Sequence, residues 1–544
     1  MNHKFILIAF IFSILIVDNI WGENIAVNIS RPVIPVLVKK HTNPCCMINL
    51  INKAGKKPYK IEKIVVDLSQ CTDYKDIVSV ALYKNNQKDR LDVNNCFGVK
   101  SVNRAQVEFN GLQIVCSDTM KLWLGVKLRD TVDLQHKVFL DCKKIKTSIG
   151  WINNISDSIK HFQRIGVAVR QKGQDGIMSS RIPGLAKTKN GTLIAVFDAR
   201  HDSSRDLQGD IDIAIHRSLD NGKTWLPMQT VLDMHNWGGL PQKYNGVSDA
   251  CILVDKNKGD IYIAGLWMFG ALDKNGKWIE GLNDKSDYWI HQWKAKGSQP
   301  GFGIKQTCQF LITKSSDNGL SWGFPRNITE AKDSLWWLYA PAPGCGITLS
   351  DGTLVFPSQG RDQNGKPFSN ITYSFDNGRT WKASRPAYNN VTECSIVQLD
   401  DTSLMLNMRD NRNKGHKNGN GRRICITKNM GETWCEHSTS RRSLIEPTCM
   451  ASLYKHDYSH NGNTVLLFCN PNDYNVRRNM TLKMSVDNGE TWPSKYWILF
   501  DEYKCAGYSC MTSIDKNTIG ILYESNLADL VFLQIDIDEV LNKK

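Results

Sequence analysis

One short pattern, Ser-x-Asp-x-Gly-x-Thr-Trp, recurs along the chain and restricts the folds open to it. It is complete at Ser218-Asp220-Gly222-Thr224-Trp225, Ser374-Asp376-Gly378-Thr380-Trp381 and Ser485-Asp487-Gly489-Thr491-Trp492. Ser315-Asp317-Gly319-Ser321-Trp322 exchanges one hydroxyl for another, and Thr427-Asn429-Gly431-Thr433-Trp434 carries Asn for Asp. Each copy follows an alternating, strand-like run. An Asp or Asn that caps its own backbone, a glycine at positive φ and a tryptophan packing beneath together make a hairpin turn. A second feature alternates with this box, a tight polar turn followed by an apolar strand. It occurs at Asn190-Gly191-Thr192-Leu193, Lys258-Gly259-Asp260-Ile261 and Asp351-Gly352-Thr353-Leu354. It returns at Asp401-Thr402-Ser403-Leu404, Asn461-Gly462-Asn463-Thr464 and Lys516-Asn517-Thr518-Ile519. Six turn–strand units and five boxes predict an all-β, six-bladed β-propeller over residues 156–544. The second unit carries an insertion, about 266–305, that holds Trp267, Trp278, Trp289 and Trp293.

At 544 residues the chain has material for more than one domain. Residues 23–155 hold short alternating runs separated by polar turns, which predicts a small β-sandwich; glycan binding and scaffolding both suit it. Lys4, the apolar run 5–17 and the small residue Gly22 predict a signal peptide over 1–22, too short to span a bilayer comfortably. The expected location is secreted, or the cell surface if the segment is retained. Sequons at Asn28, Asn154, Asn190, Asn327, Asn370, Asn390 and Asn479, with an even count of 16 cysteines, suit export. No paired CxxC and no HExxH pattern supports a zinc site. The formal charge of +14 is spread among acids without a basic block, which argues against nucleic-acid binding.

In an antiparallel hairpin, a residue before the first strand meets one after the second. By that rule Arg181 meets Arg200, Asp249 approaches Trp267, Glu393 meets Arg409 and Tyr508 meets Glu524. All lie at the strand ends opposite the turns and the boxes. The boxes are therefore structural, and the other mouth gathers the groups fit for chemistry.

These residues resemble the bacterial-type exo-α-sialidases, or neuraminidases. Ser180-Arg181-Ile182-Pro183 resembles the family's Arg-Ile-Pro motif, and Thr392-Glu393-Cys394-Ser395 its catalytic Glu stretch. Leu406-Asn407-Met408-Arg409 resembles the segment of the second arginine, and Gly507-Tyr508-Ser509-Cys510 that of the tyrosine nucleophile. The resemblance implies that Arg181, Arg409 and Arg477 clamp the substrate carboxylate, with Glu524 orienting Arg181. Arg478 competes with Arg477 for the third position. A carboxylate nucleophile would be repelled by the substrate's own carboxylate, and sialidases use Tyr instead. Tyr508 is then the nucleophile, Glu393 its base and Asp206 the acid/base, with Asp202 and Asp210 as nearby competitors.

The substrate-binding set also takes in Arg200, Asp249 and Trp267. Arg200 is expected as a support, and a sheet-edge ion pair accounts for it equally. Asp249 is assigned to the sugar's polar N-acyl side, and Trp267 with the inserted tryptophans to an apolar pocket or to the leaving-group side. The resemblance implies retention of configuration, no cofactor or metal, and sialylated glycoproteins, glycolipids or oligosaccharides as substrates, without nucleic acid or an obligate protein partner. Transfer to an acceptor or within the substrate would use the same residues, and a sialic-acid lectin would need only the arginines.

Overall fold

The computed structural model describes residues 25–53, 57–85, 91–153, 155–157, 161–291, 296–414, 420–459, 462 and 464–542. The expected signal segment, Asn154, Trp293, Asn461 and Asn463 lie outside the described residues. Those described are all-β, apart from 3-10 turns and one short α-helix, Ile537–Leu541. Among them no helix is long and apolar enough to cross a membrane.

Two compact units divide the chain, Met1–Ile165 and Gly166–Lys544. The first holds two sheets, of six and four strands. Their strands read as the alternation requires. In Ile25–Ser30, Ile25, Val27 and Ile29 are buried while the residues between them are not.

The second unit contains six sheets in succession. Each opens with a hairpin around one of the polar turns. The sheet-one pair is Ser179–Lys187 with Leu193–Arg200, and the sheet-two pair is Val247–Val254 with Ile261–Trp267. Sheet four pairs Val391–Gln398 with Leu404–Asp410, and sheet six pairs Ser509–Ser513 with Thr518–Glu524. Successive sheets pack side by side, and sheet six packs on sheet one through Ser509–Ser513 and Ser179–Lys187.

The boxes explain that packing. Ser218 Oγ donates to Asp220 Oδ1 at 2.8 Å and accepts from the Gly222 amide at 2.8 Å. Asp220 in turn accepts from the Thr224 amide and hydroxyl at 2.9 and 2.6 Å. In the degenerate copy, Asn429 Oδ1 accepts from the Thr433 amide at 3.0 Å, so the amide side chain replaces the carboxylate. Each box leans on the preceding sheet. Trp381 of sheet three meets Tyr262 of sheet two edge-on at 6.1 Å, and Trp225 of sheet one meets Phe532 of sheet six at 5.4 Å. Gly222 is needed there twice over. Its φ is 88°, and a Cβ would stand 2.2 Å from the Phe532 ring.

The third and fourth strands of the sixth sheet are not joined through a box turn. Its fourth strand is Gln163–Arg170, from ahead of the first repeat, with Gly166 opposite Leu533 and Val167 opposite Phe532. The insertion has a core of its own, in which Met268, Ala271, Leu272, Leu282 and Ile290 pack with Leu207, Ile211 and Tyr244. Gln208 Nε2 donates to the carbonyls of Met268 and Gly270 at 2.5 and 2.8 Å, joining the insertion to the loop after Arg200. Cys251, Cys394, Cys425 and Cys469 are buried free thiols. Asn370 is fully buried and donates to the Ser384 carbonyl at 2.8 Å, so that sequon is closed to modification in the folded chain.

Candidate active site

Three hairpins carry a one-residue register shift at the same height: between Arg181 and Gly184, between Ser248 and Cys251, and between Val391 and Cys394. Such bulges bend a strand and re-aim its side chains, and they gather at active sites. In two of them a residue adopts left-handed backbone, Ile182 at φ 61° and Asp249 at φ 63°. For a β-branched residue such as Ile182 that conformation costs roughly 1–3 kcal/mol. The bulge also corrects one expected pairing. Arg181 stands opposite Asp198, and Arg200 opposite Ser179, so the two arginines do not meet.

Arg181 turns instead toward sheet six. Its Nε donates to Glu524 Oε1 at 2.5 Å, and the same carboxylate accepts from the Ile182 and Tyr508 amides, each at 3.0 Å. Burial pushes the Glu524 carboxyl up, but the Arg181 charge and these hydrogen bonds outweigh it and hold it below the usual glutamate value. The Tyr508 hydroxyl donates to Glu393 Oε1 in a very short hydrogen bond and accepts from Arg409 Nη1 at 3.2 Å. Arg409 Nη1 also donates to Glu393 Oε2 at 2.6 Å, while its buried Nε has no partner among the described residues. Arg477 completes the group. It is held by the Ala506 and Thr448 carbonyls at 2.9 and 3.2 Å, with its Cζ 5.5 Å from the Tyr508 ring centroid. The Arg181 Cζ is 5.8 Å from the same centroid. Arg478 points away from Tyr508, paired with Asp473 at 2.8 Å and more than half exposed. Burial first, then the Glu393 charge, drives the Tyr508 hydroxyl well above its ordinary value, against the pull of Arg409 and Arg477.

Asp206 lies in the loop after Leu193–Arg200, with its side chain 45% exposed. Arg200 Nη1 donates to its Oδ1 at 2.8 Å, and Arg200 Nη2 donates to buried Asp198 at 3.0 Å. Arg200 therefore joins the acid to the sheet as a support. Asp202 is exposed, and Asp210 belongs to another group, with ligand atoms of His201, Asp210 and Asp212 all within 4.8 Å of one another. Burial raises Asp210 to about 6.

Asp249 is buried and accepts from Gln359 Nε2 at 3.0 Å. Burial, then the charges of Asp198, Glu393 and Asp206, raises its carboxyl well above the usual value, so it reaches the same electrostatic neighbourhood. Trp267 does not line an opening as expected. It is 2% exposed and sits edge-on between Trp237 and Phe269 at 5.1 and 6.0 Å, because the pairing of Val247 with Trp267 turns its ring into the core. The insertion supplies other residues, His291 and Trp289. His291 Nε2 is 3.1 Å from Asp206 Oδ2, and Trp289 Nε1 donates to the Asp206 carbonyl at 2.8 Å. No motif marks His291; only an insertion rich in aromatics hinted that this segment reaches the site.

A family model described as "BNR repeat-like domain" matches residues 182–510, and one described as "N-terminal domain of BNR-repeat neuraminidase" matches 24–113. A sialidase of Bacteroides fragilis is 35% identical over 543 residues, covering 93% of this chain and 94% of its own. The chain belongs to the BNR-repeat sialidase family. A solved structure of the family, Hadza microbial sialidase Hz136, superposes with a TM-score of 0.84 at 33% identity, covering 94% of this chain and 99% of its own. The sialidase of Micromonospora viridifaciens is 29% identical over 373 residues, 65% of this chain and 50% of its own. Trypanosoma rangeli sialidase, at 24% identity and a TM-score of 0.52 over 70% of this chain and 57% of its own, shares the fold.

Proposed function

We propose that the protein is a glycoside hydrolase, an exo-α-sialidase that removes terminal α-linked sialic acids from glycoproteins, glycolipids or oligosaccharides. We read the six sheets as a six-bladed β-propeller and the N-terminal unit as a β-sandwich, and we place the protein outside the cell. Ring-like packing of sheet six on sheet one supports the first reading, and the apolar segment 5–17 supports export.

The observation that carries the functional reading is the convergence on Tyr508. Three guanidiniums, from Arg181, Arg409 and Arg477, surround one phenol, and Glu393 and Glu524 are the carboxylates bonded to two of them. A substrate anion would find positive charge unneutralised and hydrogen-bond donors already oriented, above all the unpartnered Arg409 Nε.

With the carboxylate of the sugar so held, its anomeric carbon would lie over the Tyr508 oxygen. Glu393 accepts the phenolic proton as the oxygen attacks; this offsets the high proton affinity of a buried tyrosine. The bond to the leaving oxygen breaks as Asp206 donates a proton to it. Water then attacks the same carbon, gives its proton to Asp206, and Tyr508 leaves and recovers its proton from Glu393. Two inversions retain the configuration.

The test is release of a fluorophore from an aryl α-sialoside by wild type and by Tyr508→Phe. Turnover by wild type with a loss of at least about 10³-fold in the variant is expected. A wild type that binds sialic acid without turnover would be a lectin. Transfer to an added acceptor glycan with no free sialic acid would make it a trans-sialidase.

A further inference from the structure

We propose that His291, carried by the insertion, is a positioning residue that supplies the proton Asp206 delivers to the leaving group. The inference rests on the sialidase reading above and extends it to a residue outside the family motifs.

The geometry poses the problem that His291 answers. A general acid must hold a proton when substrate arrives. Yet Asp206 accepts from Arg200 Nη1 at 2.8 Å, and Arg200 is 1% exposed and always charged. A carboxyl locked to a buried guanidinium gives up its proton readily; here burial, which favours the neutral acid, is outweighed by the His291 hydrogen bond and the Arg200 charge, and Asp206 is held well below the ordinary aspartate value. Held by both neighbours, Asp206 rests as a carboxylate and needs a proton from one of them when substrate arrives.

Its second oxygen is 3.1 Å from His291 Nε2, and that ring is 18% exposed against 45% for the acid. The placement is built rather than incidental. Trp289, two residues before His291, donates to the Asp206 carbonyl at 2.8 Å, and the two rings stand perpendicular with centroids 6.0 Å apart. Ile290 between them is buried in the insertion's own core, which fixes the segment over the loop. The charged groups that bear on Asp206 are Arg200 and His291 in contact, with Arg181 and Asp249 further off. Arg205 stacks over Trp289, its Cζ 5.4 Å from the ring centroid.

A histidine ring can hold a proton one hydrogen bond away from the carboxylate that needs it. Substrate binding adds a carboxylate next to Arg181 and so weakens the positive field on Asp206. The proton passes from His291 Nε2 to Asp206 and on to the leaving oxygen as its bond to the anomeric carbon breaks. In the second half, the proton that Asp206 takes from the attacking water returns to the imidazole. The pair ends as it began, and no other reagent is consumed.

The test uses full-length His291→Gln, which can still hydrogen-bond but cannot carry the proton, with two substrates. A sugar-linked sialoside such as sialyllactose has a poor leaving group, whereas a 4-nitrophenyl sialoside leaves with little help. The expected result is a fall in kcat/KM of about 10²-fold for sialyllactose and less than about threefold for the aryl sialoside. The alkaline limb of the pH–rate profile should also move to lower pH, because the proton then has only a carboxyl to rest on, and a carboxyl beside a guanidinium holds it only in more acid solution than an imidazole does. Adding His291→Gln to Asp206→Ala should cost nothing further, since one acts through the other. An equal loss on both substrates, an unmoved pH profile, or a further loss in the double variant would overturn the inference. If wild type releases sialic acid and His291→Gln matches it, the inference fails while the sialidase reading stands. If wild type releases none from either substrate, the reading itself fails, and the inference with it.

Discussion

Tyr508 is useful only because of what reaches it from other sheets. A buried phenol is a poor nucleophile, and its proton is held tightly by burial and by the Glu393 charge. The same Glu393 is placed to take that proton, since the hydroxyl donates to Oε1 while Arg409 occupies Oε2. Replacing Glu393 by Gln keeps the shape and removes the base. A drop in kcat of about 10²–10⁴-fold is expected, with thermal stability little changed. Steady-state kinetics with an aryl sialoside checks it, and an unchanged kcat would remove Glu393 from the proton path. The convergence on Tyr508 was legible residue by residue, because three arginines, a phenol and a glutamate are distinctive types in a set order. Arg477 could not be told from Arg478 by sequence, since adjacent positions on a loop differ only in direction. In the structure Arg477 faces Tyr508 and Arg478 pairs with Asp473.

At the scale of strands and turns, the boxes are fasteners and the bulges are aiming devices. Ser218, Asp220 and Thr224 close a hydrogen-bonded turn whose Gly222 admits the Phe532 ring of another sheet. Gly222→Ala forces a methyl group into that ring and strains a positive φ. A loss of about 1–3 kcal/mol is expected by denaturant unfolding, with the catalytic rate per folded molecule unchanged. A neutral result would mean that this turn does not bear on the packing. The boxes were readable because one side chain caps one backbone at fixed spacing. The bulges were not, because nothing local distinguishes Arg181-Ile182 from ordinary alternation; the one-residue shift appears only when Leu193–Arg200 is laid alongside. Counting on simple hairpin symmetry therefore set Arg181 against Arg200. Trp267 was misread for a related reason: an aromatic at a strand end can face either side, and here it turns into the core.

For the whole molecule, the repeat count hid one element. The closing strand Gln163–Arg170 precedes the first repeat and belongs to the sixth sheet, so five boxes serve six sheets. The same sheet brings Glu524 to Arg181, so closure and catalysis depend on the same neighbours. Stability should also depend on pH through a buried carboxyl beside this junction. Asp501 accepts from Tyr523 and Ser525 at 3.0 and 2.8 Å, and burial raises it to about 6. Folding then takes up a proton between the unfolded value near 4 and that figure, so stability falls as pH rises through the window. Asp501→Asn should remove up to about 3 kcal/mol of that slope, measured as the wild-type minus variant unfolding free energy at pH 4 and pH 7. Equal pH dependence in the two proteins would show that Asp501 titrates normally. The most direct test of the central claim is covalent trapping with a 2,3-difluorosialic acid, in which the ring fluorine slows turnover of a glycosyl-enzyme. Mass spectrometry of the digested protein should find one added sugar, on the peptide containing Tyr508 and absent in Tyr508→Phe. Steady release of sialic acid with no adduct on Tyr508, or with the sugar on Asp206 or Glu393, would contradict the account.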